Sequence, residues 1–180
     1  MNSNFKHSAN PSIRLATEHD VAKHKAELIT LLQDSVHGGA SVGFLPPLST
    51  QDAAAYWDSV AEAIGHGSRW LWLAMDDEGI IGAVQLDLAT RANALHRAEV
   101  CKLLVRSDAR RQGLASLLMQ TLESHAQSNG RTTLVLDTRA GDPSEMVYAR
   151  LGWQKSGEIP KYARSADGTL HETAFYFKLL

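Results

Sequence analysis

The feature that most constrains this chain is a strand-forming segment followed closely by a helix-forming segment, with a glycine between them. Residues Ala98–Val105 are apolar apart from Glu99 and Lys102, and they are rich in residue types that favour strands. Residues Gln112–Glu123 then repeat leucines at the spacing of one helix face. The pattern predicts a strand, a short polar loop and a helix that carries Gly113 on its first turn.

A helix that begins in this way can bind an anion. Its first N–H groups have no partner inside the helix, and together with the helix dipole they attract negative charge. Gly113 has no side chain and lets a phosphate approach the backbone, while Arg110 and Arg111 offer donors that suit phosphate. The alternative is an ordinary strand–loop–helix connection with solvated arginines, and this segment alone leaves both interpretations open.

Two other phosphate-binding motifs are absent from the sequence. There is no Gly-x-x-x-x-Gly-Lys-Ser/Thr segment, which argues against a nucleoside-triphosphate loop. There is also no Gly-x-Gly-x-x-Gly segment followed by a spaced acid, which argues against a dinucleotide-binding fold.

The segment Arg110–Ala115, which is Arg-Arg-Gln-Gly-Leu-Ala, resembles the Arg/Gln-x-x-Gly-x-Gly/Ala signature with which GNAT acetyltransferases hold the pyrophosphate of acetyl-CoA. The strand before it resembles the fourth strand of that family, and Tyr148–Trp153 resembles its Tyr-x-x-Leu-Gly-Phe block. The resemblance runs in the right order from about Ile13 to the C-terminus. Within the family, the whole sequence looks like the tabtoxin-resistance enzymes, which protect toxin producers from their own β-lactam.

The resemblance implies an α/β (α+β) fold with one acetyltransferase domain over residues 11–180, after a flexible tail over residues 1–10. The GNAT sheet is mixed, mostly antiparallel, flanked by helices, and splayed between its fourth and fifth strands. The length of 180 residues and the hydrophobic content of 44% suit one domain with its own core. We therefore expect about seven strands packed in layers with helices.

Local patterns predict the other elements. Thr17 or Asp20 caps a helix that runs to about Ser35, and Ser49–Asp52 caps a second helix that runs to about Ile64. Because a helix separates the fourth and fifth strands, we expect these two strands to be parallel. The predicted strands are Ile13–Ala16, Trp70–Met75, Ile80–Leu88, Ala98–Val105, Thr132–Thr138, Gln154–Ile159 and Thr173–Leu179, with a short helix over Pro143–Leu151 and a turn at Asp167–Gly168.

The segment Val36–Leu48 is long for a connection and has no periodic pattern, and such loops are often functional. Its phenylalanine, Phe44, lies between flexible glycines and rigid prolines. In GNAT proteins the segment between the first two helices covers the acceptor site. Contact with a substrate and a mobile surface loop both remain possible interpretations.

Composition excludes several other classes of protein. The net charge of −2 and the pI of about 6.4 argue against a general nucleic-acid binder. The one cysteine, Cys101, excludes an internal disulfide, fits a reducing compartment and is interpreted as a small hydrophobic residue. The polar N-terminus and the lack of an apolar run of ~20 residues argue against a signal peptide and a membrane span, so we expect a cytoplasmic protein. The eight histidines lack metal-ligand spacing, and no metal site is expected.

Two carboxylates are candidate bases for acetyl transfer, in which the acceptor must lose a proton. A positioned base typically contributes ~10²–10⁴-fold to the rate. Glu99 lies in an apolar strand, where desolvation raises the pKa of a carboxyl group, and it stands where histone-type family members carry a catalytic glutamate. Asp137 ends an apolar strand, at the edge of a sheet where ligands gather. The alternatives are that Glu99 pairs with Arg97 or Lys102 and that Asp137 caps a turn.

In the GNAT fold these two carboxylates would flank the gap between the fourth and fifth strands, with direct and water-mediated proton transfer both left open. Tyr148 is the candidate general acid, because the corresponding tyrosine of many family members lies near the sulfur and can protonate the departing thiolate. Its alternative role is packing on the sheet. Many relatives carry an asparagine at the position of Gly141 that contacts the pantetheine arm, and Ser144 could substitute for it here.

The resemblance also implies the residues that hold acetyl-CoA. The backbone of Leu103 and Val105 would pair with the pantetheine amides as an added strand does. The amides of the following loop and helix start would cradle the pyrophosphate. These amides belong to Arg111, Gln112, Gly113, Leu114, Ala115 and Ser116, and Arg110 adds a donor to the same site.

The acceptor follows from the resemblance alone, which implies a small β-lactam toxin with an amino-acid head group. Such a head group needs partners for its carboxylate and its ammonium, and Lys102, Arg139, Asp87 and Asp58 are unranked candidates. The alternatives are a protein or peptide amine such as a lysine side chain, a non-catalytic acetyl-CoA-binding regulator, and an interaction module that binds no cofactor. Family members often form homodimers, but nothing in this sequence decides the oligomeric state.

Overall fold

The computed structural model describes residues 11–180 of the protein, so the predicted N-terminal tail over residues 1–10 lies outside the described residues. Seven strands form one sheet in the order β1-β2-β3-β4-β5-β7-β6. Only the β4–β5 pair is parallel, as the connecting helix predicted. The strands are β1 Ser12–Leu15, β2 Arg69–Asp76, β3 Gly79–Leu88, β4 Arg97–Val105, β5 Thr133–Arg139, β6 Gln154–Arg164 and β7 Leu170–Leu179.

Five α-helices cover the two faces of this sheet, because side chains of successive strand residues point to opposite sides. In β2, Leu71 packs into one buried cluster with helices α1–α3, while Trp72 packs into the other with helices α4 and α5. No helix among residues 11–180 is long and apolar enough to cross a membrane. The helices are α1 Glu18–Lys23, α2 Lys25–His37, α3 Thr50–Gly65, α4 Leu114–Ser128 and α5 Ser144–Arg150, with short 3₁₀ turns at Ala92–Ala94 and Ser107–Ala109.

The first predicted helix is two helices. Thr17 caps α1 in a capping box with Asp20, but the helix stops at His24 and α2 begins at the next residue. The His24 ring contacts the Glu27 carboxylate at 2.8 Å, and the other oxygen of that carboxylate accepts the N–H of Ile80 at 2.8 Å. The hydrogen bond between Glu27 and Ile80 of β3 joins residues that are far apart in the sequence. The apolar period continues through both helices, so it could not show that α1 ends at His24.

Other boundaries differ in informative ways. Ser49 accepts the N–H of Asp52 and caps α3 as predicted. Gly113 is not on the first turn of α4 but is its N-cap, with φ of +83° in the left-handed region. Strand β6 continues past its predicted end at Ile159 to Arg164, and β7 begins at Leu170, before its predicted start at Thr173. The two strands thus lie on either side of the turn at Asp167 and Gly168. The side chains of β6 are exposed along most of its length, so no alternation of apolar and polar residues marks its end.

The sheet splays between β4 and β5. The two strands pair only where Arg97–Glu99 meets Thr133–Val135. Beyond that point β4 contains a bulge, since Cys101 lies opposite Gln85 whereas Leu104 lies opposite Ala83. Pairing along β4 therefore continues on the β3 side, while its other edge faces an open gap.

Candidate active site

Two adjoining cavities occupy the gap between β4 and β5. The larger has a volume of about 700 Å³ and extends from the start of α4 to α5. The smaller, of about 260 Å³, lies deeper, between the loop after α2 and the end of β5. Ala40, Leu103, Asp142 and Ser144 line both cavities, which therefore form one continuous cleft.

The start of α4 gives the larger cavity a set of free backbone donors. The N–H groups of Leu114, Ala115 and Ser116 have no backbone or side-chain acceptor among the described residues. Gly113 lies against open space, so glycine is required here by its positive φ rather than by crowding. A helix N-terminus with these properties favours a phosphate group.

The two arginines of the motif differ in what their side chains do. Arg110 donates from Nε to the carbonyl of Val105 at 3.0 Å, and its guanidinium lies 3.6 Å from Asp34 of α2. Gln112 is also engaged, since its amide donates to the Asp108 carbonyl at 3.2 Å. Arg111 is exposed, lines the larger cavity and has no side-chain partner within residues 11–180. Of these three side chains, Arg111 is the one available to a bound anion.

The edge of β4 that faces the gap fits an extended ligand. Leu103 and Val105 both line the larger cavity, beyond the last residue of β4 that pairs with β5. Leu103 lines the smaller cavity as well. An unpaired strand edge of this kind can bind the amides of an extended ligand, as in strand addition.

Glu99 and Asp137 lie on the same face of the sheet, toward α1–α3. Glu99 is opposite Val135, and Asp137 follows two positions later on the alternating strand. Burial raises the pKa of the Glu99 carboxyl, and the negative charges of Asp137 and Asp87 raise it further, although the side chain keeps contact with solvent. Partial burial also raises the pKa of Asp137, whose side chain likewise keeps contact with solvent, against a smaller lowering by Lys102. Both pKa shifts bring these carboxyl groups closer to neutral pH.

The other roles that the sequence offered for these carboxylates, an ion pair for Glu99 and a turn cap for Asp137, are absent among the described residues. Glu99 makes no ion pair with Arg97 or Lys102, whose charges act on it only at longer range. Asp137 accepts no turn N–H among the described residues. The N–H of Ser144, after the next turn, is accepted by Asp142 at 2.8 Å instead. Asp137 lines the smaller cavity, whereas Glu99 lies outside its lining.

Tyr148 reaches the smaller cavity from α5 and is 6% exposed. Its ring packs 5.8 Å from Tyr176 and 6.2 Å from Trp153, centroid to centroid. Burial raises the pKa of its phenol to about 12, although a hydrogen bond with Ser144 acts in the opposite direction. The phenol therefore keeps its proton at neutral pH and is able to donate it.

A polar wall beside the cleft was missed by sequence reasoning. Arg69 donates to Asp87 at 2.8 Å and to the Gln85 side-chain oxygen at 3.0 Å, and the Tyr56 hydroxyl donates to that same oxygen at 2.9 Å. Gln85 is fully buried and its amide nitrogen has no partner among the described residues. The available signal was that Gln85 and Asp87 interrupt an otherwise apolar strand at a spacing of two.

The four residues that the sequence offered as partners for the acceptor lie in different places in the structure. Asp58 is exposed and pairs with Lys25 at 2.6 Å, while Asp87 is committed to Arg69. Arg139 lines the larger cavity, 3.7 Å from Asp142. Lys102 lines the smaller cavity. Of the four candidates, Lys102 is the one that shares this cavity with Asp137 and Tyr148.

The cleft as a whole fits a coenzyme with a pyrophosphate and an extended arm. It offers a free helix N-terminus at one end, an open strand edge along its length, and a proton donor and a carboxylate at the other end. Within residues 11–180 there is no group of three or more side chains that could hold a metal ion.

Comparisons with known proteins agree with this geometry. Human N-acetyltransferase 8 is 33% identical over 112 residues, a match that covers 60% of this chain and 48% of that protein. The chain thus matches about half the length of its curated relatives. A ribosomal-protein-alanine N-acetyltransferase from Brucella melitensis has the same fold, with a TM-score of 0.78 at 19% identity over 94% of this chain and 99% of that chain.

A GNAT superfamily phosphinothricin acetyltransferase from Sinorhizobium meliloti, solved in complex with acetyl-CoA, has a TM-score of 0.76 at 19% identity, over 96% of this chain and 89% of that chain. At these identities the solved structures establish the fold. The sequence model of the acetyltransferase (GNAT) family matches residues 34–153, which is most of the chain. This chain belongs to the GNAT family of acetyltransferases.

Proposed function

We propose that the protein transfers the acetyl group of acetyl-CoA directly to an amine or hydroxyl group of a small polar molecule. The observation that carries this proposal is the continuous cleft that joins the free N–H groups of α4 to Asp137 and Tyr148. The raised pKa values of Glu99 and Asp137 support it, since a base works best when its pKa lies near the operating pH. Tyr148 supports it by its position in the same cavity as Asp137.

The chain's own groups would hold the coenzyme at three places. The amides of Leu114, Ala115 and Ser116, with the Arg111 guanidinium, would bind the pyrophosphate. The edge of β4 at Leu103 and Val105 would bind the pantetheine arm, although the Val105 carbonyl already accepts the Arg110 side chain. Ser144 would offer a hydroxyl beside the arm. Acetyl-CoA itself supplies an acetyl group activated as a thioester.

Asp137 would accept the proton that the acceptor nitrogen loses as its lone pair forms the new C–N bond, directly or through a water shared with Glu99. When the C–S bond breaks, its electron pair stays on sulfur. Tyr148 would give its phenolic proton to that sulfur, and the proton held by the carboxylate would return to the phenolate through solvent. The products are an acetamide and a free thiol, and no acyl-enzyme is formed.

For the acceptor we propose a small β-lactam toxin with an amino-acid head group, acetylated as a means of self-resistance. The overall resemblance to the tabtoxin-resistance enzymes supports this choice. The smaller cavity, of about 260 Å³, which we call the inner cavity, suits a small head group better than a folded protein surface. A structural neighbour named as a phosphinothricin acetyltransferase agrees with a small-molecule acceptor on this fold.

Calorimetric titration with acetyl-CoA, followed by thiol detection when tabtoxinine-β-lactam is added, tests the proposal in two steps. Binding followed by thiol release supports both the transferase and its acceptor. Binding without release contradicts the toxin as acceptor and keeps the coenzyme. Absence of binding contradicts the function as a whole.

A further inference from the structure

We infer that Lys102 binds a carboxylate of the acceptor, so that the substrates are small amines that carry an anionic group, as α-amino acids do. This assignment deepens the proposed function and rests on it, because it concerns the acceptor end of the same cleft. Lys102 would be the specificity-determining residue, and Asp137 would face the amine.

The backbone at Lys102 is unusual for a lysine. Its φ is +50°, in the left-handed region that residues other than glycine seldom adopt. It occupies the bulge of β4, where the pairing slips between Cys101 and Leu104. Bulges beside active sites commonly redirect a side chain, and strained conformations cluster at such sites. Here the bulge coincides with the point where Lys102 enters the lining of the inner cavity.

Aromatic rings orient the Lys102 ammonium without neutralising it. Its Nζ lies 5.6 Å from the ring centroid of Tyr56 and 6.0 Å from that of Phe44. The two rings meet edge to face at 5.3 Å, and the Tyr56 hydroxyl is fixed by its hydrogen bond to Gln85. Cation–π contacts are weaker than charge-assisted hydrogen bonds. A carboxylate can therefore bind the ammonium without first breaking an ion pair.

Three other cations near the cleft already have partners, while the unpaired Arg111 lines the larger cavity and not the smaller one. Arg69 is bound to Asp87, Arg139 lies beside Asp142, and Arg110 lies beside Asp34. No carboxylate among the described residues comes within ion-pair distance of Lys102, which is also the one basic residue that lines the inner cavity there.

The charges of the inner cavity match a molecule with an amine and a carboxylate. Asp137 lies in the same lining and makes no ion pair with any described residue, and its pKa is lowered by the charge of Lys102 but raised more by burial. The cavity thus presents one cation and two acids. Of the acids, Asp142 lies 3.7 Å from Arg139, whereas Asp137 interacts with Lys102 without direct contact. An acceptor whose amine faces Asp137 and whose carboxylate faces Lys102 fills both positions.

Lys102 could alternatively act only by tuning the pKa values of Glu99 and Asp137. That role would change the pH dependence of the rate equally for every acceptor. Carboxylate binding instead changes the preference between two acceptors that differ in one group. A comparison of α-amino acids with their α-carboxamides separates the two roles.

The experiment uses tabtoxinine-β-lactam and several small α-amino acids, each paired with its α-carboxamide. Binding is measured by calorimetry on protein saturated with CoA, which has no acetyl group to transfer, and thiol release from acetyl-CoA is measured in parallel. Wild type should bind each acid that fits about tenfold to a hundredfold more tightly than its amide, as expected for a charge-assisted hydrogen bond. Lys102→Gln should remove that preference by weakening the acids alone, and Lys102→Arg should keep part of it.

The matched control is Lys161→Gln in β6, which removes the same charge from a residue with a similar φ of +56° outside both cavities. It should behave as wild type. Equal binding of acids and amides by wild type, equal weakening of both by Lys102→Gln, or no binding of any pair overturns the carboxylate site. Failure of the proposed function is seen separately, as no acetyl-CoA binding or as acceptor binding without thiol release.

Discussion

Glu99 of β4 and Asp137 of β5 lie on one face of the sheet, on either side of the point where the two strands stop pairing. The negative charge of Asp137 adds to burial in raising the pKa of Glu99. Both carboxyl groups border the gap, keep contact with solvent and make no ion pair among the described residues. They are therefore free to take up and release a proton, as the proposed transfer requires.

Replacing either carboxylate should slow catalysis without loosening the coenzyme. We expect Glu99→Gln and Asp137→Asn each to lower kcat, by up to ~10²–10⁴-fold for the direct base, while the Kd for acetyl-CoA stays within twofold. Stopped-flow thiol detection and calorimetry measure the two quantities. Asp58→Asn is the control, because it changes an exposed carboxylate on α3 in the same way. Wild-type rates in both active-site variants would remove the proposed base.

The raised pKa of Asp137 also makes a prediction about stability. A carboxyl whose pKa is higher in the folded state destabilises the fold when it is ionised, and this cost is present in full above the raised pKa. As the pH falls toward the ordinary carboxyl range, the folded state takes up the proton first and the cost disappears. The groups that act on Asp137 and Glu99 here are Lys102, Arg97 and Asp87.

Asp137→Asn should therefore have a higher Tm than wild type at neutral pH, and the difference should shrink as the pH is lowered through the raised pKa. Thermal unfolding across this pH range measures it. The Asp58→Asn control should show no such trend. A difference in Tm that grows toward acid pH would mean that ionised Asp137 stabilises the fold, contrary to the direction of its pKa shift.

Gly113 allows a matched test of the pyrophosphate site. Gly113 and Gly130 flank the two ends of α4 with φ values of +83° and +74°, and a Cβ atom at either would meet open space. Valine at either position should therefore cost a similar ~1–2 kcal/mol or more of stability, because both must adopt the left-handed conformation. Only Gly113→Val should abolish acetyl-CoA binding in calorimetry. Normal binding by Gly113→Val would refute the pyrophosphate loop.

The sequence predicted those features of the fold that depend on residues close together in the chain. The strands and helices follow from apolar periodicity, the Ser49 cap from its side chain, and the parallel β4–β5 pair from the helix between them. The motif also located the free N–H groups at the start of α4, since these depend on one loop and one helix.

What the sequence could not predict depends on residues far apart in the chain. The bulge at Lys102 and its left-handed backbone conformation follow from how β4 pairs with β3. No residue type in this segment predicts them. The wall formed by Arg69, Gln85 and Tyr56 needs the register of β2 and the packing of α3 together. The contact between Arg110 and Asp34 of α2 also joins residues far apart in the chain, and the assignment of Arg110 to the pyrophosphate stays a prediction.

Removing the Tyr148 hydroxyl should slow departure of the thiol. Tyr148→Phe preserves the packing against Trp153 and Tyr176, so Tm should change by less than a few degrees while kcat falls about tenfold or more, as for loss of a positioned acid. Tyr162→Phe, an exposed tyrosine of β6, is the control and should leave the rate unchanged. An unaltered kcat in Tyr148→Phe would assign the tyrosine to packing alone.

A buried ion pair anchors the segment that follows Tyr148. Glu123 of α4 is 8% exposed, accepts the indole N–H of Trp153 at 2.7 Å and pairs with the Lys178 ammonium at 2.6 Å. Lys178 also donates to the carbonyl of Leu151, so one carboxylate joins α4, β7 and the end of α5. Removing one partner of a fully buried pair typically costs ~3–5 kcal/mol. The cost is smaller here, because the Lys178 side chain is 21% exposed and keeps its hydrogen bond to Leu151.

Glu123→Ala should therefore lower the free energy of unfolding by about 2 kcal/mol, less than for a fully buried pair, as measured by urea denaturation. Glu62→Ala on the exposed side of α3 should cost far less. At temperatures where the Glu123 variant is still folded, its kcat should fall while its Kd for acetyl-CoA changes little, because the anchor supports α5 and Tyr148 rather than the start of α4. Equal losses of stability in the two variants would mean that the ion pair adds nothing. An unchanged kcat in the folded Glu123 variant would mean that α5 holds Tyr148 in place without this anchor.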